Sequence, residues 1–192
     1  WYSYLKGGEY RRWAGNNEHL VDWEQEGSQI LNFVDRTTGR IRSHNYNGDW
    51  AFKPGITWSS VSGELFSVRN VEGGYMFDTT GSMGFVKPDS DRTGVIAFLN
   101  SAVAAAYMKV LSPAIRFQPG HALNLPFDRS TLKQSKLLAD QCISIAKADW
   151  DAYERSWEFR NPTILSKGGL FLLVSESYKS VRSQWDQLTS TM

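Results

Sequence analysis

Cysteine is almost missing: Cys142 is the only one among 192 residues. A single thiol excludes an intramolecular disulfide framework and fits a reducing compartment. No run of about 18 apolar residues occurs, so no segment reads as spanning a membrane. The longest apolar stretch, Val95 to Leu111, is interrupted by Asn100, Ser101 and Lys109. There is no Walker-type phosphate loop and no GxGxxG fingerprint. The histidines, His19, His44 and His121, stand apart, without a second ligand at metal spacing. No nucleophile elbow supports a Ser/His/Asp set. Charge of one sign is also lacking, with 21 Lys+Arg against 20 Asp+Glu and a net charge of +1, so no global field advertises a polyanionic partner. The start, Trp1-Tyr2-Ser3-Tyr4, has neither Met nor a signal-peptide pattern. It reads as part of a longer protein, and residues from 1 to 192 alone are expected to be non-catalytic.

What is present is aromatic: 14% of residues, including 8 Trp, within a 41% hydrophobic composition that can build a core. The segments 30–34, 55–58, 65–68 and 75–78 have strand length and composition. Thr37-Thr38-Gly39 and Glu72-Gly73-Gly74 are turn signals. From Gly94 to Leu111 apolar residues recur at three and four, which predicts a helix ending at Ser112-Pro113. Asp128 or Ser130 can cap a helix to about Lys147, and Asp149 a short one carrying Trp150, Tyr153 and Trp157. A last helix, about 169–189, places Val174, Tyr178, Val181, Trp185 and Leu188 on a seam that is still running at the end of the chain. The expected fold is α+β: a twisted, mostly antiparallel sheet with long loops and one packed helix over 1–128, then a helical linker or bracing subdomain over 129–192.

Three segments mix cations, aromatics and small polar residues. In Lys6 to Glu18, glycines permit close backbone approach, Arg11 and Arg12 can pair phosphates or guanine edges, and Asn16 and Asn17 can pair adenine. Tyr10 and Trp13 could stack on bases. A loop whose acids and bases satisfy each other is the alternative. In Thr38 to Asn47, alternation puts Arg40, Arg42 and His44 on one face, close to Arg36, either for DNA or as a charge-protected edge. In Lys53 to Ser60, Lys53, Thr57 and Ser59 could meet phosphates, whereas Ile56 and Trp58 read as core. Tyr46 is another candidate for base contact. Trp150 and Trp157 read as packing residues, and Cys142 as a small core residue.

Taken in order, several blocks resemble one family. They are Lys6 to Trp13 with Gly15 to Glu18, Lys53 to Ser59, Phe77-Asp78 with Gly81-Ser82, Leu99-Asn100-Ser101, Phe117 to Gly120, Asn124-Leu125-Pro126, and Ile145 to Asp151 with Glu154, Ser156-Trp157 and Phe159. Together they resemble the region downstream of the catalytic domain in BREX-type (PglX-like) phage-defence methyltransferases and related single-chain type II restriction–modification enzymes. The resemblance covers most of residues 4–160 and continues weakly to Leu188. It departs at Ala14, where an aromatic is more common. It implies methyl transfer from S-adenosylmethionine to adenine N6 in the parent enzyme, through an (Asp/Asn)-Pro-Pro-(Tyr/Phe) motif. Asn161-Pro162-Thr163-Ile164 does not match that motif, so no catalytic residue and no cofactor site carry over. The implied role is DNA target recognition, in partnership with double-stranded DNA and the parent's catalytic domain, in a prokaryotic cytoplasm. A structural docking domain of the same enzyme is the alternative, and a tryptophan platform for carbohydrate explains less.

Overall fold

Short extended runs punctuated by glycine and asparagine become six strands in the computed structural model, which describes residues 1–43, 47–63, 65–114, 116–167 and 173–190. The strands are β1 (Tyr2–Leu5), β2 (His19–Val21), β3 (Gly55–Ser59), β4 (Val68–Val71), β5 (Tyr75–Phe77) and β6 (Gly81–Gly84). They form two sheets rather than one. The first has the order β2-β1-β5, with β1 antiparallel to β2 and parallel to β5. The second has the order β4-β3-β6, antiparallel throughout, with Thr57 opposite Arg69 on one side and Met83 on the other. Segment 30–34 is not a strand: α1 (Ser28–Leu31) is a single helical turn, followed by a bridge between Val34 and Ile41.

The helices are α2 (Arg92–Leu99), α3 (Ala102–Leu111), α4 (Pro119–Leu123), α5 (Leu132–Asp151), α6 (Thr163–Lys167) and α7 (Val174–Thr189). This is the α+β class read from the sequence. The single helix expected over 94–111 is two, bent by 75° between α2 and α3. The bend has a local cause. Ser101 leaves the helix and caps α3, its hydroxyl accepting from the Ala104 amide at 3.2 Å. Asn100 closes α2 with its backbone and serves a strand with its side chain: Val68 N–H donates to Asn100 Oδ1 (2.9 Å), and Asn100 Nδ2 donates to the Val68 carbonyl (3.0 Å).

The core lies where the second sheet meets the helices. Ile56, Trp58 and Val68 pack with Ile96 and Leu99 of α2, Ala104 and Met108 of α3, and Ala139, Cys142 and Ala146 of α5. The small residues of α5 let it approach α2. A Cβ on Gly94 would lie 2.9 Å from the Leu132 side chain, so glycine is required at that crossing. Trp58 is anchored as well as buried, its indole N–H donating to the Phe117 carbonyl at 2.8 Å. The helix expected to begin at Asp149 does not form. Asp149 and Trp150 belong to the last turn of α5, and the chain then breaks into turns. Trp150 is therefore buried, but Tyr153 and Trp157 are exposed rather than packed. Among the described residues no single helix is long and apolar enough to cross a membrane.

Candidate nucleic-acid interface

The segment Lys6 to Glu18 is a strap lying on β4. Trp13 N–H donates to the Val68 carbonyl (2.9 Å) and Asn70 N–H to the Trp13 carbonyl (2.7 Å). Trp13 holds a left-handed φ of 70° and buries its ring in the core, so it is not on the surface. Ala14 is buried beside it, which explains a small side chain there. At the start of the strap, a Cβ on Gly7 would sit 2.7 Å from the Thr80 carbonyl oxygen, so only glycine fits.

Most of the polar side chains of the strap point inward. Arg11 pairs with Asp149, donates to the Ala14 carbonyl (3.2 Å) and lies 5.0 Å from the Trp150 ring centre. Asn16 is buried and donates to the Glu9 carbonyl at 2.8 Å. Asn17 donates to the Tyr75 hydroxyl at 2.9 Å, and Glu18 pairs with Arg155. Beneath them Arg69 is fully buried; burial pushes its guanidinium down to about 10, with Glu18 opposing, so it stays protonated at neutral pH. Among the described residues its Nη atoms reach the Arg11 carbonyl and Ser59 Oγ, each at 3.4 Å. Two strap cations remain outside. Lys6 is 3.4 Å from Asp78, and Arg12 is exposed, with its Nε donating to the Tyr10 hydroxyl. Asp78 sits below the usual carboxylate range: burial works against this, but hydrogen bonds from Thr80, Gly81 and Tyr4 outweigh it.

Thr57 and Ser59 are also inward. They lie on β3, the central strand, whose two faces are both covered. Thr57 donates to the Ser82 carbonyl (3.0 Å) and Ser59 to the Gly8 carbonyl (2.9 Å). At the start of the same segment Lys53 is exposed, with its Nζ 4.7 Å from the centre of the Trp50 ring.

The segment 33–42 is built the other way. Its hydrogen bonds run among its own backbone and one carboxylate, leaving arginines outside. Asp35 Oδ1 accepts from the Thr37 and Thr38 amides (2.8 and 2.9 Å), and Asp35 N–H donates to the Arg40 carbonyl (2.9 Å). The Thr38 and Thr37 amides, and then Arg42, hold the Asp35 carboxyl below its usual range. Arg36, Arg40 and Arg42 are exposed, and of the three only Arg42 pairs with a described carboxylate, that of Asp35. His44 and Tyr46 lie outside the described residues.

One cleft, of about 930 Å³, is acidic: Asp22, Glu24, Glu26 and Asp49 line it with Trp1, Trp23 and Phe52. Among the described residues no group of His, Cys, Asp and Glu is arranged to hold a metal ion. Lys87 was not singled out by sequence reasoning. Its neighbour on the indole, Trp50, is 37 residues earlier by number, and only the fold joins them.

No family model matches the chain. The adenine-specific methyltransferase PglX of Lacticaseibacillus casei (strain Zhang) is 38% identical over 166 residues, covering 86% of this chain and 14% of that protein. The adenine-specific methyltransferase BrxX of Escherichia coli O9:H4 (strain HS) is 31% identical over 191 residues, covering 98% of this chain and 15% of that protein. Over most of its length the chain is thus similar to these adenine-specific methyltransferases, and it spans only 14–15% of their length.

Proposed function

We propose that this region reads DNA sequence for an adenine-N6-specific methyltransferase of a BREX-type phage-defence or restriction–modification system, without catalysis of its own. The reading rests chiefly on one observation: nearly the whole chain aligns with two proteins named adenine-specific methyltransferases, yet it carries no methyl-transfer motif. Asn161-Pro162 stands exposed ahead of α6 and continues as Thr163-Ile164, not as Pro-aromatic. The local geometry also supports placing the binding of S-adenosylmethionine, which such a parent enzyme would use, outside this region. The glycines after β1 lead into the strap rather than a helix, and Gly7 is closed off by the Thr80 carbonyl.

The exposed cations support a role in DNA contact through Lys6, Arg12, Arg36, Arg40, Arg42 and Lys53. Phosphate contacts would set register and a few arginines would read base edges. Near-neutral charge predicts weak, salt-sensitive binding by this region alone. The test is duplex binding by the full-length protein carrying this sequence, over a series of salt concentrations. Arg40→Ala should weaken binding and lower the salt slope by about 1. Exchange of this region between two relatives should exchange the methylated sites. Unchanged sites after the exchange would sink the reading.

A docking role within the same protein is the second reading. It is favoured by the exposed apolar face of α3 formed by Val103, Tyr107 and Val110. Salt-independent association with the remainder of the parent protein, with no DNA in the complex, would support it.

A further inference from the structure

We infer that Lys53 and Lys87, both held on the Trp50 indole, form a two-point seat for the phosphates of a DNA backbone. The two lysines come from separate segments, before β3 and after β6, and the fold places both on one ring. Their ammonium groups lie 4.7 and 5.0 Å from its centre, which keeps them within about 10 Å of each other, close to the screening length of about 8 Å at physiological salt. Neither is paired with a described carboxylate, and both side chains are exposed. Two cations so placed offer a phosphate backbone two contacts at a fixed place on the surface.

The platform beneath them is part of an aromatic row. Trp50 stacks on Phe85 with ring centres 4.6 Å apart, and Phe85 packs on Phe77 at 5.9 Å. Holding each ammonium over an indole reduces the rotamer freedom lost when a ligand binds. Beyond the ring the charges are mixed, with Asp89, Asp91 and Asp128 among further cations. Arg129 donates to the Lys87 carbonyl (3.2 Å) and Lys136 to the Ser90 carbonyl (3.5 Å). Asp49, next in sequence to Trp50, lines the acidic cleft instead. A lysine ammonium is a compact point charge suited to phosphate oxygens, so the seat gives affinity and register rather than base selection.

This inference depends on the DNA-recognition reading, and the experiment separates the two. Duplex binding by the full-length protein is titrated at several salt concentrations for K53A/K87A, K53R/K87R and R40A. The double alanine variant should lower the salt slope by about 2 and weaken binding more than tenfold at 0.1 M salt. The methylated sequence should not change, and the arginine pair should keep the slope. Both lysines are exposed, so an unaltered melting temperature will accompany the loss. If R40A lowers the slope and K53A/K87A does not, the seat is overturned and Lys53 leaves the contact set, while DNA recognition through the other cations stands. If no variant alters slope or affinity, both fall.

Discussion

The strap 6–18 and the segment 33–42 carry the same chemistry, arginines beside aromatics and small polar residues, and put it to opposite uses. In the strap, Arg11 is held by Asp149, Ala14 and Trp150, and Asn16 by Glu9. In 33–42 a single carboxylate, Asp35, satisfies local amides, and the arginines face outward. What separates them is whether partners come from far along the chain or from within the turn. A cation drawn inward by a distant acid becomes bracing, and one left exposed is available to a ligand.

Substitutions can break or sharpen this contrast. The largest effect is expected at the strap's buried ring. Trp13→Ala should cost about 3–5 kcal/mol by chemical denaturation, and a loss below 1 kcal/mol would show that the strap is not seated on the core. Next, Arg11→Ala should cost about 1–3 kcal/mol, because it leaves Asp149 and the Ala14 carbonyl without a donor, while the salt slope of duplex binding stays unchanged. A slope change there with intact stability would reverse the assignment. Arg40→Ala should do the opposite, leaving stability within about 0.5 kcal/mol. The smallest effect is acid-dependent. The Asp35 carboxyl is held below its ordinary value in the fold, so its stabilisation is complete above the unfolded carboxylate pKa of about 3.9. It is lost as pH falls through the lower folded value. Amide-exchange protection at Thr37 and Thr38 should therefore decline in strong acid, and Asp35→Asn should abolish that pH dependence.

Sequence reasoning reached the local features and missed the distant ones. Strands at 55–58 and 75–78, the break at Ser112-Pro113 and the burial of Trp58 and Trp150 were legible because periodicity and turn residues are short-range signals. The break at Asn100-Ser101 had a visible trace, a serine three residues before Ala104 that can cap a helix. The reason for it, a pairing with Val68 32 residues away, had none. The same limit governs the site. Thr57 and Ser59 read as available hydroxyls because alternation cannot tell a central strand with both faces covered from an edge strand. Arg11 read as free because Asp149 is 138 residues away. Lys87 had no partner in its own segment and was invisible until Trp50 and Lys53 folded beside it.

The Asn100 side chain has one further consequence. β4 has β3 on one side, and its other side is occupied by the Trp13 backbone and the Asn100 amide. An exposed strand edge is a template on which another chain can add itself. Here one side-chain amide imitates a peptide group and helps close that template at Val68. A region that is similar to one stretch of a much longer polypeptide can then fold beside its neighbours without lending them a strand, and Asn100→Leu should be read for its effect on aggregation as much as on stability.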